Sequence, residues 1–538
     1  MSGGGALPSP RILAGGAALL FATLVIGGAF AGLLLAAARS PAPAAFDTYL
    51  WRVAGFTLFQ AALSVLVSVV PGILVARALF RLQGFRGRTL VLGLFAVPLG
   101  LPALVAALGI LALLGRAGLA AGPLGWLMGE RWPGIYGLSG ILVAHAFFNM
   151  PLAARLFLGA LEAVPADQWR LAAQLGLGQR QSFRLVEWPA LRASLPGVAG
   201  LVFMLCVSSF TIVLTLGGGP AATTLEVAVY QALRFDFDPA RAVLLTVVQA
   251  GLVIVSVLLF SRLGTDSAAD PSLSVSARRF PPGGAGARVL DRMVVGLAIL
   301  FVGGPIASVV WSGLQADLLR LMGEASVQRA TVASLMLAAI SGLLATAMAW
   351  ALAAARHQAA VEGRRVIAAL TGTGVSFALV IPPVVIGAGW FVTLLPTGRV
   401  FEAAPVMVAA VNALMAVPFA LRVIRPAFDA AAARHDRLAL SLGIGGWNRL
   451  RLVDWPALRR PLLTALAFGM ALSLGDLGVI ALFGSDALQT LPSLLFARLG
   501  SYRTADAAGL ALLLGSLCLC LMLAATVLGQ RTDERTSP

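Results

Sequence analysis

The sequence predicts an all-α polytopic membrane protein with twelve transmembrane helices in two six-helix repeats, and three observations carry that prediction. The 538 residues are 59% hydrophobic and only 12% charged, with a mean hydropathy of +0.92. A water-soluble domain holds such a balance only by exposing large apolar patches. Eleven uncharged windows are long enough to cross a hydrocarbon core, which takes about 20 helical residues. A polar, basic block occurs twice, 267 positions apart: residues 170–192 read RLAAQLGLGQRQSFRLVEWPALR and residues 437–459 read RLALSLGIGGWNRLRLVDWPALR, with fourteen identities in twenty-three positions.

The windows are 12–38, 53–76, 89–115, 132–154, 193–225, 242–261, 293–316, 330–355, 366–398, 403–421 and 507–530. A twelfth begins at Pro461 and is broken only by Asp476 before it resumes to Ser485. These runs show no alternating ten-residue barrel pattern, and backbone groups in lipid need internal hydrogen bonds, so the spans must be helices. The first run is 27 residues long and lacks a small-residue cleavage site, so it reads as a retained span.

The net charge of +16 raises the question of nucleic-acid binding, and the placement of the basic residues answers it. There is no lysine, so all 39 basic residues are arginine. With a cytoplasmic N-terminus, 28 of them fall in cytoplasmic segments and 11 outside, while acidic residues divide about evenly. This is the positive-inside pattern and places both termini in the cytoplasm. The three cysteines, Cys206, Cys518 and Cys520, fall inside predicted spans without metal-ligand spacing to the histidines, so no metal site is expected.

Residues 263–288 are the only long stretch rich in Gly, Pro, Ser and Ala without an apolar run, which reads as a cytoplasmic linker. It separates a first six-helix half, 1–262, from a second, 289–538. The repeat extends beyond the block: Pro151 pairs with Pro418, Arg155 with Arg422 and Gly217 with Gly484. Six spans per half make the repeats parallel, with both copies of the block in the cytoplasm. Two such halves pack around a pseudo-two-fold axis along the membrane normal with a path between them.

Each copy of the block follows one plan. A small-residue segment leads to Gly, then nine residues, then Val, an acidic residue, Trp and Pro. The first copy runs through Arg170, Ala172, Gly176, Val186, Trp188 and Pro189, and the second through Arg437, Ala439, Gly443, Val453, Trp455 and Pro456. Gly ends one short helix and Pro opens the helix that re-enters the membrane. This spacing resembles the EAA signature of the permease subunits of bacterial ABC importers, which runs Glu-Ala-Ala, three residues, Gly, nine residues, Ile, one residue, Leu-Pro. The interval from Gly to Pro is thirteen in both copies. The leading Glu is replaced by Arg170 and Arg437, and the Leu before Pro by Trp188 and Trp455. The resemblance implies that each loop forms a short coupling helix seated on a cytoplasmic ABC ATPase dimer. The chain has no P-loop, which needs a lysine. ATP is therefore expected to be used by a partner subunit, with no cofactor bound by this chain, in the bacterial inner membrane.

Three stretches, 145–176, 211–242 and 472–508, are similar to the thiamine and thiamine-phosphate permease family, the second of them reading TIVLTLGGGPAATTLEVAVYQALRFDFDPARA. The resemblance implies thiamine and its phosphates as cargo and a periplasmic substrate-binding protein as partner. Arg234, Asp236, Asp238, Arg498, Tyr502 and Arg503 lie in the outer loops where that protein would make contact.

Asp476 sits within a span, where a carboxylate costs about 2.5 to 3.5 kcal/mol on the insertion scale unless it is paired or faces water. Two readings stand: it faces the translocation path, or it caps a helix break made by Gly475 and Gly478. His145 and Asn149, four apart on the fourth span, share a face and read as hydrogen-bonding core residues. A ferric-iron permease keeps the class and changes the cargo. An ion-coupled secondary transporter would place several ionisable groups inside spans, and here Asp476 and His145 are the only candidates. No nucleophile, base and orienting carboxylate fall on a shared face, so no enzyme is expected.

Overall fold

A computed structural model describes residues 9–39, 46–82, 84–263, 285–373, 381–485 and 488–530. Of the expected linker, residues 264–284 lie outside the described residues. Among those described, ten helices are long and apolar enough to cross a membrane, and a bent pair makes an eleventh candidate. In chain order the helices are α1 (Pro10–Arg39), α2 (Thr48–Arg81), the bent pair α3 (Arg88–Gly100) and α4 (Ala103–Leu114), α5 (Leu138–Glu162), α6 (Ala166–Gln174), α7 (Trp188–Val207), α8 (Phe210–Leu216), α9 (Leu225–Arg234) and α10 (Pro239–Leu263). The second repeat brings α11 (Ala285–Leu314), α12 (Ala325–Val361), α13 (Arg365–Thr373), α14 (Pro383–Leu394), α15 (Ala404–Ser441), α16 (Trp455–Leu474), α17 (Gly478–Phe483), α18 (Leu491–Gly500) and α19 (Thr504–Gln530).

The sequence explains where these helices break. Between α3 and α4 the chain turns by 115°. Pro102 supplies no N–H and forces the preceding Leu101 out of the helical region, to φ −88° and ψ 129°. Pro382 opens α14 in the same extended conformation, φ −58° and ψ 141°, but residues 374–380 before it lie outside the described residues. The expected window 366–398 is thus present as α13 and α14 rather than as one continuous helix. The fifth span of each half is also broken, between α7 and α8 at Ser208 and Ser209, and between α16 and α17 at residues 475–477.

The helices fall into two compact units that do not follow the chain order of the repeats. One unit holds α1, residues 229–246 and the helices from residue 317 onward, and the other holds α2 to α8 with residues 247–316. The opening helix of each repeat is thereby exchanged: α1 packs on α12 and α14, and α11 packs on α4 and α2. Small residues make both contacts close. A Cβ on Gly389 of α14 would meet the Ala29 carbonyl oxygen of α1 at 2.5 Å, and one on Gly109 of α4 would meet the Pro305 carbonyl oxygen of α11 at 2.5 Å. Side chains lock each contact. Trp390 Nε1 donates to the Val25 carbonyl at 2.8 Å, and Ser308 Oγ donates to the Gly109 carbonyl at 2.6 Å.

The same division of labour runs along the helices. α1 buries Ala18, Ala22, Ala29 and Gly32 while Leu13, Leu20, Leu24 and Leu34 point outward. Apolar tails solvate leucine as well as a protein core does, so close packing of small residues, rather than hydrophobic burial, selects the inward face. α12 presents Ala330, Ser334, Ala338, Gly342, Ala345 and Ala349 inward on the same principle. Two hydroxyls on matched helices pin the outer segments: Thr57 Oγ1 accepts from Leu225 N at 3.0 Å, and Ser334 Oγ accepts from Leu491 N at 2.8 Å.

Candidate functional site

Both copies of the duplicated block fold alike. Helix α6 ends at Gly176, whose φ of +64° is open to glycine at little cost, and α15 ends at Gly443 with the same φ. In the first copy Gly176 N donates to the Ala173 carbonyl at 3.1 Å and Leu177 N to the Ala172 carbonyl at 3.0 Å. In the second, Gly443 N reaches the Leu440 carbonyl at 3.1 Å and Ile444 N the Ala439 carbonyl at 2.8 Å. These paired bonds form a Schellman motif, which satisfies carbonyls that the helix end leaves free. Gly178 and Gly445 then open the short helices Gln179–Ser182 and Gly446–Arg449. One wide π-turn follows in each copy, Phe183–Glu187 and Leu450–Asp454, and the span helix starts with Pro189 or Pro456 in its first turn. The thirteen-residue interval is therefore two linking residues, the four-residue short helix, the five-residue π-turn and the first two residues of the span helix.

The acidic residue that ends each π-turn is the anchor, a role the sequence reading did not assign. Glu187 is buried and accepts from Arg77 Nε at 2.7 Å and Arg81 Nη2 at 3.4 Å, both on α2. Arg81 also lies 3.8 Å from Asp291 on α11. Asp454 is buried and accepts from Arg11 Nη2 of α1 at 2.6 Å, with Arg449 Nε at 3.6 Å. In one unit the exchanged opening helix thus bonds the loop directly through Arg11, and in the other it places Asp291 beside the arginine that holds the loop. The remaining support differs between copies. Trp169 is fully buried against Phe80, ring centroids 5.4 Å apart, whereas the matching position holds Asp436, which pairs with Arg449 and accepts from His357 Nε2 at 2.8 Å. One loop is wedged by aromatic packing and the other is held by ion pairs.

Of the residues singled out in the sequence, Ala172, Ala439 and Val186 are buried and Val453 is half-buried, so they shape the loop from beneath. Arg170, Arg437, Trp188, Trp455, Pro189 and Pro456 are exposed, and Arg170 carries only a surface pair with Asp167. The repeat also leaves three leucines exposed in each copy: Leu171, Leu175 and Leu185 are 55%, 66% and 60% exposed, and Leu438, Leu442 and Leu452 are 59%, 63% and 62% exposed. Packing within the chain does not require these identities. Comparing the two copies position by position was the signal that could have found them.

At the second broken span, Asp476 accepts from Gly478 N at 3.1 Å and from Val479 N at 3.4 Å. It caps α17 and is half-buried, and the matching position in the first half is Ser209. His145 and Asn149 are buried, bonding Ser64 Oγ at 2.7 Å and Cys206 Sγ at 3.3 Å. Among the described residues no His, Cys, Asp and Glu side chains are grouped in a way that could hold a metal ion.

The outer-loop residues separate into two sets. Arg498 is buried and pairs with Glu324 at 2.6 Å and Asp506 at 2.9 Å, and Arg503 joins Asp506 at 2.5 Å. Arg320 completes this cluster. Its hydrogen bond to Asp506 raises the guanidinium pKa above the ordinary value, so the network stays charged. Arg234 donates to the Gly484 carbonyl at 3.3 Å and Asp238 accepts from Arg241 N at 3.0 Å. Asp236 and Tyr502 are exposed.

Comparison with known proteins places this architecture. The family model described as "Binding-protein-dependent transport system inner membrane component" matches residues 68–273 and 347–534, once in each half. The chain is 55% identical to the thiamine transport system permease protein ThiP of Brucella abortus (strain 2308), over 97% of this chain and 96% of that protein. It is 42% identical to the protein of the same name from Escherichia coli (strain K12), over 88% of each, and 40% identical to that of Haemophilus influenzae, over 95% of each. With a family match in both repeats and relatives that align along nearly their whole length, the chain belongs to the family of binding-protein-dependent transport system inner membrane components.

Proposed function

We propose that this chain is the permease subunit of an ATP-driven importer of thiamine and its phosphates. It lies in the bacterial inner membrane with both termini in the cytoplasm and works with a cytoplasmic ABC ATPase dimer and a periplasmic binding protein. The near full-length identity to thiamine permeases carries the cargo. The duplicated loops carry the coupling. Two identical sets of exposed leucines on identically folded loops are what a partner with two identical grooves requires, and a homodimer presents such a pair. The chain binds no cofactor itself, and ATP is consumed by that partner.

Within the membrane, Asp476 lines the path at the break between α16 and α17. A half-buried carboxylate there favours a cation electrostatically, and thiamine carries a fixed positive charge on its thiazolium ring. The test is uptake of radiolabelled thiamine in a strain that lacks this gene, with and without the gene restored. Restored uptake that needs the co-expressed ATPase and binding protein supports the proposal. Unchanged thiamine uptake with impaired iron acquisition would overturn it.

A further inference from the structure

Among the described residues only two that are not glycine adopt positive φ, Phe237 at +50° and Tyr502 at +58°. Both are aromatic, and both stand two residues before a long helix, α10 at Pro239 and α19 at Thr504. Aligning the two repeats through these helices pairs Phe237 with Tyr502, each on the turn that follows the short outer helix, α9 or α18. A bulky side chain in the left-handed region is strained, because Cβ crowds the following carbonyl. Glycine or asparagine would relax either turn.

The turns themselves cap the short helices, with Asp238 N donating to the Ala232 carbonyl at 2.8 Å, Tyr502 N to the Leu499 carbonyl at 3.2 Å and Arg503 N to the Arg498 carbonyl at 3.0 Å. Glycine performs that task at Gly176 and Gly443. The rings are left outward, Phe237 80% exposed and Tyr502 91% exposed. An aromatic kept where glycine would make the same cap at lower cost points to a use for the ring at the surface. Here the strain holds an aromatic ring outward on a matched turn in each repeat. Beside Phe237 a cleft of about 470 Å³ is lined by Leu35, Arg39, Val392 and Pro396. One span and one short outer helix separate each turn from its docking loop along the chain, so both turns fall on the periplasmic side.

We propose that Phe237 and Tyr502 are the paired anchors for the substrate-binding protein, one from each repeat, with the cleft beside Phe237 receiving side chains of that partner. Rigid exposed aromatics with few rotatable bonds are the residue type that concentrates binding energy at interfaces. The two turns come from different repeats but belong to the same compact unit, so one partner can meet both. The family's dependence on a binding protein names the class of that partner. This inference rests on the proposed function above.

The experiment reconstitutes the permease with its ATPase in lipid nanodiscs and titrates thiamine-loaded binding protein while ATP hydrolysis is followed. Variants Phe237→Gly and Tyr502→Gly, singly and together, relieve the strain and remove the rings. Phe237→Asn and Tyr502→Asn repeat the test with a residue that tolerates positive φ. Each single change is expected to raise the half-saturating concentration of binding protein about tenfold, and the double change more, with thermal unfolding midpoints no lower than that of the parent protein. A double variant whose half-saturation stays within twofold of the parent overturns the proposal and leaves the transport function standing. A parent complex with no response to the binding protein overturns both.

Discussion

Replacing Glu187 with Gln tests whether the π-turn is held by its buried carboxylate. The side chain is 5% exposed and lies against Arg77 and Arg81, which are 20% and 22% exposed. Removing one partner of a buried ion pair costs about 3 to 5 kcal/mol. Because both arginines reach some solvent, and Arg77 keeps its stacking on the Phe183 ring at 4.0 Å, roughly 2 to 3 kcal/mol is expected here. At 1.4 kcal/mol per tenfold change this corresponds to roughly 30- to 150-fold faster opening of the loop. Hydrogen–deuterium exchange of a peptide covering residues 175–190 reads that opening directly, and ATP-driven uptake should fall with it. The exposed pair of Arg170 and Asp167 provides the control, since Asp167→Asn should leave exchange in the same peptide unchanged. An exchange rate within threefold of the parent in Glu187→Gln would refute the anchoring role, whatever happens to transport.

Other expectations follow from the same geometry. Gly176→Ala or Gly443→Ala should lower stability by about 1 to 2 kcal/mol each, the cost of a Cβ in the left-handed region. Each site has nothing within 4 Å of the added Cβ, so thermal unfolding should show a modest loss without misfolding. Changing Leu171, Leu175 and Leu185 together to Ser should leave the thermal midpoint unchanged and sharply reduce co-purification of the ATPase, and adding Leu438, Leu442 and Leu452 should abolish it. Undiminished co-purification in the six-fold variant would remove these leucines from the docking surface. Asp476→Asn keeps an oxygen for the cap but removes the charge, so thiamine uptake should drop about tenfold with little change in stability. Asp476→Ala should add about 1 kcal/mol of instability from the lost cap.

Most spans were legible because each is a run of apolar residues bounded by arginine or carboxylate, and of the helix breaks only the one at Gly475 and Gly478 was read from the sequence, as one of two readings of Asp476. Ser208 and Ser209 sit inside a window that hydropathy joins into one span, since a hydroxyl residue barely lowers the average. At Asp476 the carboxylate drew attention, and the structure shows that it accepts two backbone N–H groups of α17. The duplicated loops were legible through Gly176, Gly443, Pro189 and Pro456, whose backbone constraints fix the ends of local elements. Glu187 and Asp454 were visible as a repeated acidic position, yet their roles depend on Arg77, Arg81 and Arg11, which lie on other helices and carry no local signal. For the same reason the residues that differ between copies, Trp169 against Asp436, gave no warning that the two loops are secured by different forces.

The exchanged opening helices impose an order on synthesis. α1 leaves the ribosome before its packing partners, because the faces that receive Gly15 and Gly32 belong to α12 and α14. Roughly 300 residues separate them, which at 5 to 20 residues per second is on the order of 15 to 60 seconds of translation. During that interval the small-residue stripe of α1 faces lipid or a passing chaperone, with its outward leucines satisfied and its inward side empty. A nascent chain that stalls within the first repeat therefore holds a first helix with no place to settle, and quality control at the membrane has a waiting, unpaired helix to recognise.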